Sequence, residues 1–287
     1  MKPGIYNMSD EKYFAEPAVS NSDLKKLKRS PAHFKEYKAN PPGPSKAMEA
    51  GSALHCAVLE PDDFMDRYAV LPDNAPARPT TAMLNAFAKG SKQQDTSLDR
   101  INFWQKFDQM NEGKISLSND KAAEYLHIGS LIRDHESLAP FFTNGLPEQA
   151  VFAKDPETGL MCKCKPDYLA MVGSYKVQVE LKSTEDARPD GFMKTAYKFG
   201  YYQGAAWYST LMEWAGLGRP DLYIFVAFER DAPYGIQVYE LSEEALEYGE
   251  RQFRQALDLY AHCKKNDEWP NYDTSIQPLS LPAWVKD

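Results

Sequence analysis

A change of period constrains this chain most. Up to about residue 135 apolar residues recur at helical spacing, and from Glu148 onward they alternate. Alternation at period two marks a strand with two unlike faces. Over residues 177–182, Val177, Val179 and Leu181 alternate with Gln178, Glu180 and Lys182. That pattern places Glu180 and Lys182 on one face of a strand and packs Leu181 on the other. Asp167 closes the preceding apolar-rich segment, so the acidic and basic residues read D-x12-E-x-K.

Two carboxylates and a lysine on neighbouring strands are what a metal-dependent phosphodiester hydrolase needs. Asp167 and Glu180 offer oxygen ligands to a hard divalent cation, and the carbonyl of Leu181 can add a third. Such a cation polarises a phosphate and lowers the pKa of a bound water. Lys182 is the candidate for orienting that water. Its partner Glu180 and its apolar flanks argue for an inward position, where a cation needs paired anions. Each residue also has a plainer reading. Aspartates at strand ends and lysines on strand edges are common, and any acidic chain contains some D…ExK.

The rest of the chain reads as an α/β fold. Ser20 or Ser22 can cap a short helix through Lys28, and Ser30-Pro31 starts a second, with serine at N-cap and proline at N1. The break at 40–45 (NPPGPS) sets a helical arm, residues 1–45, apart from a main body, residues 46–287. Lys46 to Leu59, Thr80 to Lys89, Leu98 to Asn111 and Asn119 to His135 have helical spacing, with the polar loop GSKQQDTS between the second and third. Residues 60–145 are therefore mostly helical, and the sheet spans about 147–241. Val151 to Lys154 is expected as a strand, DPETG as a turn and Leu160 to Met171 as one further strand. Asp190 to Trp214 reads as one long helix. Residues 222–229 (LYIFVAFE) read as a strand buried on both faces, with Ile236 to Leu241 as its hairpin partner. Ser242 caps a helix running to about Lys264. Residues 1–19 are expected to be irregular, and the tail from Trp269 to wrap the surface.

A hydrophobic fraction of 43% in 287 residues allows a sizeable core. No apolar run approaches the ~20 residues of a membrane span, and the N-terminus lacks the apolar stretch of a signal peptide. A cytoplasmic location is the default expectation, with no membrane partner. The four cysteines fit no disulfide framework. Cys162 and Cys164 would share one side of a strand, as a reduced core-facing pair or, with two further ligands, a metal–thiolate site. The net charge of −8 argues at first against nucleic acid. A nuclease site is itself acidic, however, and only the DNA track must be basic. Lys25, Lys26, Lys28 and Arg29 cluster near the N-terminus, and Lys163, Lys165, Arg188, Lys194 and Lys198 are the DNA-binding candidates around the site. These are either solvated faces or phosphate contacts, and the latter would make binding strongly salt-dependent. Tyr197, Tyr201 and Tyr202 interleave with Lys194 and Lys198, as core packing or as contacts to a DNA strand end.

Pro166-Asp167 with Glu180-Leu181-Lys182 resembles the core motif of the PD-(D/E)xK nuclease superfamily. In order along the chain, SNSDLKKLKRSPAHFKEYK, GSALHCAVLEPDDF, EQAVFAKDPETGLMCKCKPDYL, VELKST and GYYQGAAWY are similar to RecE-type exonucleases of phages and prophages, the exodeoxyribonuclease VIII group. The resemblance runs from about Ser20 to Tyr208. It implies a central mixed β-sheet flanked by helices, a helical N-terminal part, and Mg2+ as cofactor with Mn2+ as substitute. His55, by its neighbours alone either a core histidine or a ligand, would contact metal. Glu148 would be an outer metal or water ligand. The related Q-x-x-x-Y pattern implies catalytic roles for Gln203 and Tyr208, although here Trp207 follows Gln203 by four and Tyr208 by five. The same resemblance implies 5′ to 3′ digestion of linear double-stranded DNA from its ends, leaving 3′ overhangs for recombination. It also implies a ring-shaped homo-oligomer, a single-strand annealing recombinase as partner and a bacterial host cytoplasm. Two other readings stand beside it: a structure-specific or single-strand endonuclease of the same superfamily, and a non-catalytic DNA-end-binding module.

Overall fold

The alternation at 177–182 lies within Tyr175–Thr184, the longest strand among the described residues. The computed structural model describes residues 1–43, 45–91 and 94–281. Pro44 of the 40–45 break, Lys92 and Gln93 of the polar loop, and residues 282–287 of the tail lie outside them.

The chain opens with β1 (Gly4–Tyr6), α1 (Asp10–Ala15), β2 (Val19–Ser20), α2 (Asn21–Leu27) and α3 (Pro31–Ala39). A mostly helical stretch follows: α4 (Lys46–Leu59), α5 (Phe64–Arg67), β3 (Tyr68–Leu71), α6 (Thr81–Ala88), α7 (Asp95–Met110), β4 (Ile115–Ser118) and α8 (Asn119–Arg133). Then come β5 (Gly145–Pro147), β6 (Ala150–Lys154), β7 (Met161–Cys164), β8 (Tyr168–Val172) and β9 (Tyr175–Thr184). The chain continues through α9 (Pro189–Phe199), α10 (Tyr201–Trp214), β10 (Leu222–Glu229), β11 (Ile236–Glu240) and α11 (Glu243–Asn266). The hydroxyls of Ser20, Ser30, Ser45, Thr80, Ser118 and Ser242 each accept an amide N–H of the first turn that has no partner within its helix.

The strands form a five-stranded mixed sheet, β11-β10-β9-β8-β5, a four-stranded sheet, β1-β6-β7-β2, and the parallel pair β3-β4. Strands β9 and β10 run parallel at the centre of the larger sheet. Residues 1–19, expected to be irregular, supply both edge strands of the smaller sheet. The N-terminal segment is thus built into that sheet rather than held apart as an arm. Leu160 to Met171, expected as one strand, is two, β7 and β8, one in each sheet. The break falls at Lys165-Pro166-Asp167, where proline has no N–H for a ladder. Asp190 to Trp214, expected as one helix, divides at Gly200. That residue sits at φ 65°, ψ 42°, the left-handed conformation in which glycine ends helices.

Helices α4 and α8 cover one face of the larger sheet, where Leu54, Val58, Ile128 and Ile132 meet Val177, Val179, Leu181 and Val226. Helix α10 lies against both sheets. Its Ala206, Trp207 and Leu211 pack on Val151, Cys162 and Cys164 with Phe253 and Leu257 of α11, while Ala205 packs with Tyr223 and Phe225. Cys162 and Cys164 are fully buried in this core. Gly249 lets α11 reach α10, since a Cβ there would stand 2.1 Å from the carbonyl oxygen of Tyr202. Among the described residues no helix is long and apolar enough to cross a membrane.

The turn between β6 and β7 is tied to α11 by a charged pair. Asp155, with no exposed surface, accepts hydrogen bonds from both terminal nitrogens of Arg254, at 2.9 and 3.0 Å, and from the Thr158 N–H. Burial pushes the Asp155 carboxyl up, but the hydrogen bonds from Arg254 and Thr158 outweigh it and hold it below its ordinary value of 3.8. A carboxyl lowered by folding contributes stability above its unfolded pKa and loses it as pH falls through the folded one. Asp155→Asn is therefore expected to destabilise the protein by about 3 kcal/mol at pH 7, as breaking a buried pair does. The difference should shrink as the pH is lowered below about 3.8. Urea unfolding at pH 7 and pH 3 measures both, and equal stability at pH 7 would refute the pairing's importance.

Candidate active site

Strands β5 and β6, with β7 and β8, form one two-stranded ribbon that passes from the larger sheet to the smaller. Pro147 pairs with Tyr168 on one side of the crossing and Val151 with Cys164 on the other. At the crossing Glu148 adopts φ 50°, a conformation uncommon for a residue with a Cβ. Its N–H donates to the Asp167 carbonyl at 3.0 Å. The bend therefore sets Glu148 and Asp167 opposite each other, and α4 brings His55 to them.

His55 Nδ1 lies 3.6 Å from Asp167 Oδ1 and 3.7 Å from Glu148 Oε1. Their ligand atoms all fall within 4.8 Å of one another, the one such cluster among the described residues. Asp167 Oδ2 accepts the Leu181 N–H at 2.7 Å, and the Asp167 N–H donates to Glu180 Oε1 at 3.2 Å. Lys182 Nζ stands 2.9 Å from Glu180 Oε2, 3.7 Å from Asp167 Oδ2 and 3.0 Å from the Leu181 carbonyl. Sequence-predicted Asp167, Glu180, Lys182, Glu148 and His55 thus converge. Glu180 and the Leu181 carbonyl are turned to the lysine and stand outside the three-residue cluster.

Burial, then the charge of Asp167, pushes the Glu180 carboxyl up, while Lys182 opposes the shift. Burial disfavours the Lys182 ammonium, but Glu180 and Asp167 outweigh it and hold it charged. The 2.9 Å contact is that of an ionised pair. Burial also opposes protonation of His55, but Asp167 and Glu148 outweigh it and raise its pKa. Two carboxylates converging with an imidazole on a cleft suit a divalent cation, whose charge would relieve the crowding of acids and hold His55 neutral.

A cleft of about 310 Å³ opens beside the cluster, lined by Lys25, His55, Lys182, Tyr201 and Tyr208 among others. Tyr208 lines it. Gln203 does not: it is buried beneath α2, its amide donating to Asn21 Oδ1 at 2.9 Å, because the cleft side of α10 is taken by Gly204, Ala205 and Tyr208. Gln203 pins the start of α2, the helix that carries Lys25. Lys163 is not available to DNA either. It is 4% exposed, donates to the carbonyls of Tyr13 and Glu16 at 2.7 and 2.8 Å, and lies over the Tyr13 ring. The folded-back N-terminal segment captures it. Lys165 pairs with Glu148 at 3.0 Å and with Asp10 at 2.5 Å. Arg188 is exposed and paired with Asp186, and Lys194 and Lys198 are exposed on α9.

Three further residues reach the site. Lys25 appeared only as one of four clustered basic residues, yet it alone of them lines the cleft. Burial, and then Lys182, lowers its pKa to about 8, with Glu180 opposing. Gln178 shares the face of Glu180 and donates to it at 3.4 Å. Tyr201 holds the Lys182 ammonium 5.5 Å from its ring centre. The alternation at 177–182 already placed Gln178 beside Glu180, whereas Tyr201 and Lys25 meet it only through the fold.

No curated protein matches this sequence. A crystal structure from Eubacterium rectale, described as a "putative exonuclease", shares the fold. It superposes with a TM-score of 0.57 at 14% identity, covering 98% of this chain and 97% of that one. SSO0001 reaches a TM-score of 0.29 at 12% identity over 74% of this chain and 87% of that one. Protein VC1899 from Vibrio cholerae reaches 0.21 at 12% identity over 86% and 57%. These last two are too distant to bear on the fold. The family described as "PDDEXK-like domain of unknown function (DUF3799)" matches residues 20–279, nearly the whole of the chain. With its Asp167 and Glu180-Leu181-Lys182 meeting at a sheet crossing, the chain belongs to this PDDEXK-like family.

Proposed function

We propose that the protein is a metal-dependent deoxyribonuclease that cleaves phosphodiester bonds beside the His55–Glu148–Asp167 cluster. The convergence at one cleft of that cluster with a buried lysine held between two carboxylates carries this reading. Asp167, Glu148 and His55 would hold the cation, with Glu180 adding negative charge next to it. Mg2+ is the expected ion and Mn2+ its substitute, since the donors are mainly oxygens. When bound, the cation supplies a Lewis acid for the phosphate and lowers the pKa of an attacking water.

The chain's own residues do the rest. The Leu181 N–H fixes Asp167 Oδ2 and so aims Oδ1 at the cluster. Glu180 and Asp167 keep Lys182 ionised, and its ammonium orients the water and offsets charge that grows on the phosphate. Tyr208 shapes the wall of the cleft. Lys165, Arg188, Lys194 and Lys198 are proposed to contact the DNA backbone.

In its finer form the reading is an exonuclease that digests linear duplex DNA 5′ to 3′ and leaves 3′ overhangs for recombination. It would act in a bacterial cytoplasm as a ring-shaped homo-oligomer beside a single-strand annealing protein. Support comes from the RecE-like order of motifs between Ser20 and Tyr208 and from the end-to-end likeness of fold to the Eubacterium rectale protein.

Linear duplex labelled separately at each 5′ end, compared with closed circular DNA in Mg2+ and in EDTA, tests this directly. The expected result is Mg2+-dependent loss of label from linear DNA with the circle intact. A cut circle would identify an endonuclease, and no cleavage in Mg2+ or Mn2+ would refute the enzyme. Lys182→Ala should lower the cleavage rate by about 100-fold or more, as loss of one charge-stabilising donor does, with duplex binding retained. Calorimetric titration with Mn2+ should show binding to the native protein and its loss in Asp167→Asn. Equal Mn2+ affinity in the two would remove Asp167 from the site.

A further inference from the structure

The junction of α9 and α10 carries an arrangement that the cleavage chemistry does not use. Gly200, left-handed, both ends α9 and precedes α10, so Phe199 and Tyr201 flank a tight bend. Their rings stack with centres 6.0 Å apart and planes at 23°. Tyr201 lines the cleft, with Lys182 Nζ 5.5 Å and Lys25 Nζ 5.9 Å from its ring centre. Phe199 is 52% exposed, and Lys198 Nζ lies 5.4 Å from its ring centre. Lys25 and Lys198 form no ion pair among the described residues.

A single exposed apolar side chain needs no explanation. This one differs in its company. It continues a ring that lines the cleft beside Lys182, and Lys25 and Lys198, neither in an ion pair among the described residues, stand over Tyr201 and Phe199. Aromatic faces alternating with free ammonium groups match a polyanion whose bases are open to stacking. Paired bases in a duplex are already stacked on one another and offer no free face.

We propose that Phe199, backed by the packed Tyr201 ring and flanked by Lys25 and Lys198, forms a step that takes a base of an unpaired DNA strand and leads its backbone into the cleft. The choice of DNA rests on the nuclease reading above; the demand for an unpaired strand comes from the stacked rings. The lysines meet phosphates, so binding at this step falls with salt. Discrimination between strands lies in the rings.

The test is binding of the full chain in EDTA, read by fluorescence anisotropy, to a single-stranded DNA oligonucleotide and to a blunt duplex. Phe199→Ala is expected to weaken single-strand binding about tenfold, the scale of one lost base stack, and to leave blunt-duplex binding unchanged. Phe199→Trp should bind like the native chain, and Phe199→Leu should bind like Phe199→Ala. Tyr197→Ala is the control. Tyr197 is 68% exposed on the same helix but stacks on Tyr248 and does not line the cleft, so its loss should change neither affinity. Thermal unfolding verifies that each variant is folded. Equal effects of Phe199→Ala and Tyr197→Ala, or native single-strand binding by Phe199→Leu, would overturn the step. Because no metal is present, the outcome is independent of cleavage. Phe199-dependent single-strand binding by a chain that cuts nothing would uphold the step and refute the nuclease. Normal cleavage with binding indifferent to Phe199 would do the reverse.

Discussion

The site depends on how completely Asp167 is bonded. Its N–H donates to Glu180, its carbonyl accepts from the Glu148 N–H, and one carboxylate oxygen accepts from the Leu181 N–H. Three of its polar groups are thus spent on holding two strands and a ribbon crossing together, which leaves Oδ1 facing His55. Each neutral hydrogen bond of this kind contributes only about 1 kcal/mol net, and those to a carboxylate somewhat more. Together they fix the one residue that stands where the chain leaves the smaller sheet for the larger. The two sheets, the positive φ of Glu148 and the buried lysine all meet at that residue.

Much of this was legible in the chain. Alternation placed Glu180 and Lys182 on one face, and Ser20 or Ser22, Ser30 and Ser242 marked three helix starts, because both depend on local chemistry. What was hidden has physical causes. Pro166 broke an apolar run that otherwise looked continuous, and its effect on the ladder appears only once two sheets exist to receive the halves. Gly200 divided a helix whose apolar periodicity runs on through it. The N-terminal strands β1 and β2 are two or three residues long, too short for a period, and gain their order from pairing with β6 and β7. Lys163 and Gln203 look like site residues by position, yet the N-terminal segment claims both.

That segment also bears on how an acidic chain could hold DNA. The chain carries a net charge of −8, while the cleft gathers Lys25 and Lys182 beside Tyr201. Burial, and then repulsion from Lys182, leaves Lys25 less firmly protonated than a free lysine. An entering phosphate would relieve that repulsion, as a cation would relieve the crowding of acids at Asp167. On the nuclease reading, a phosphodiester with its cation would meet Lys25 on one side and the acids at Asp167 on the other.

Anomalous diffraction from crystals soaked in Mn2+ tests this view most directly. The expected result is one strong peak among Asp167 Oδ1, Glu148 and His55, at ligand distances of roughly 2.0–2.6 Å. A saturated crystal with its manganese bound elsewhere, or with none at this crossing, would contradict the assignment of the metal site on which the function rests.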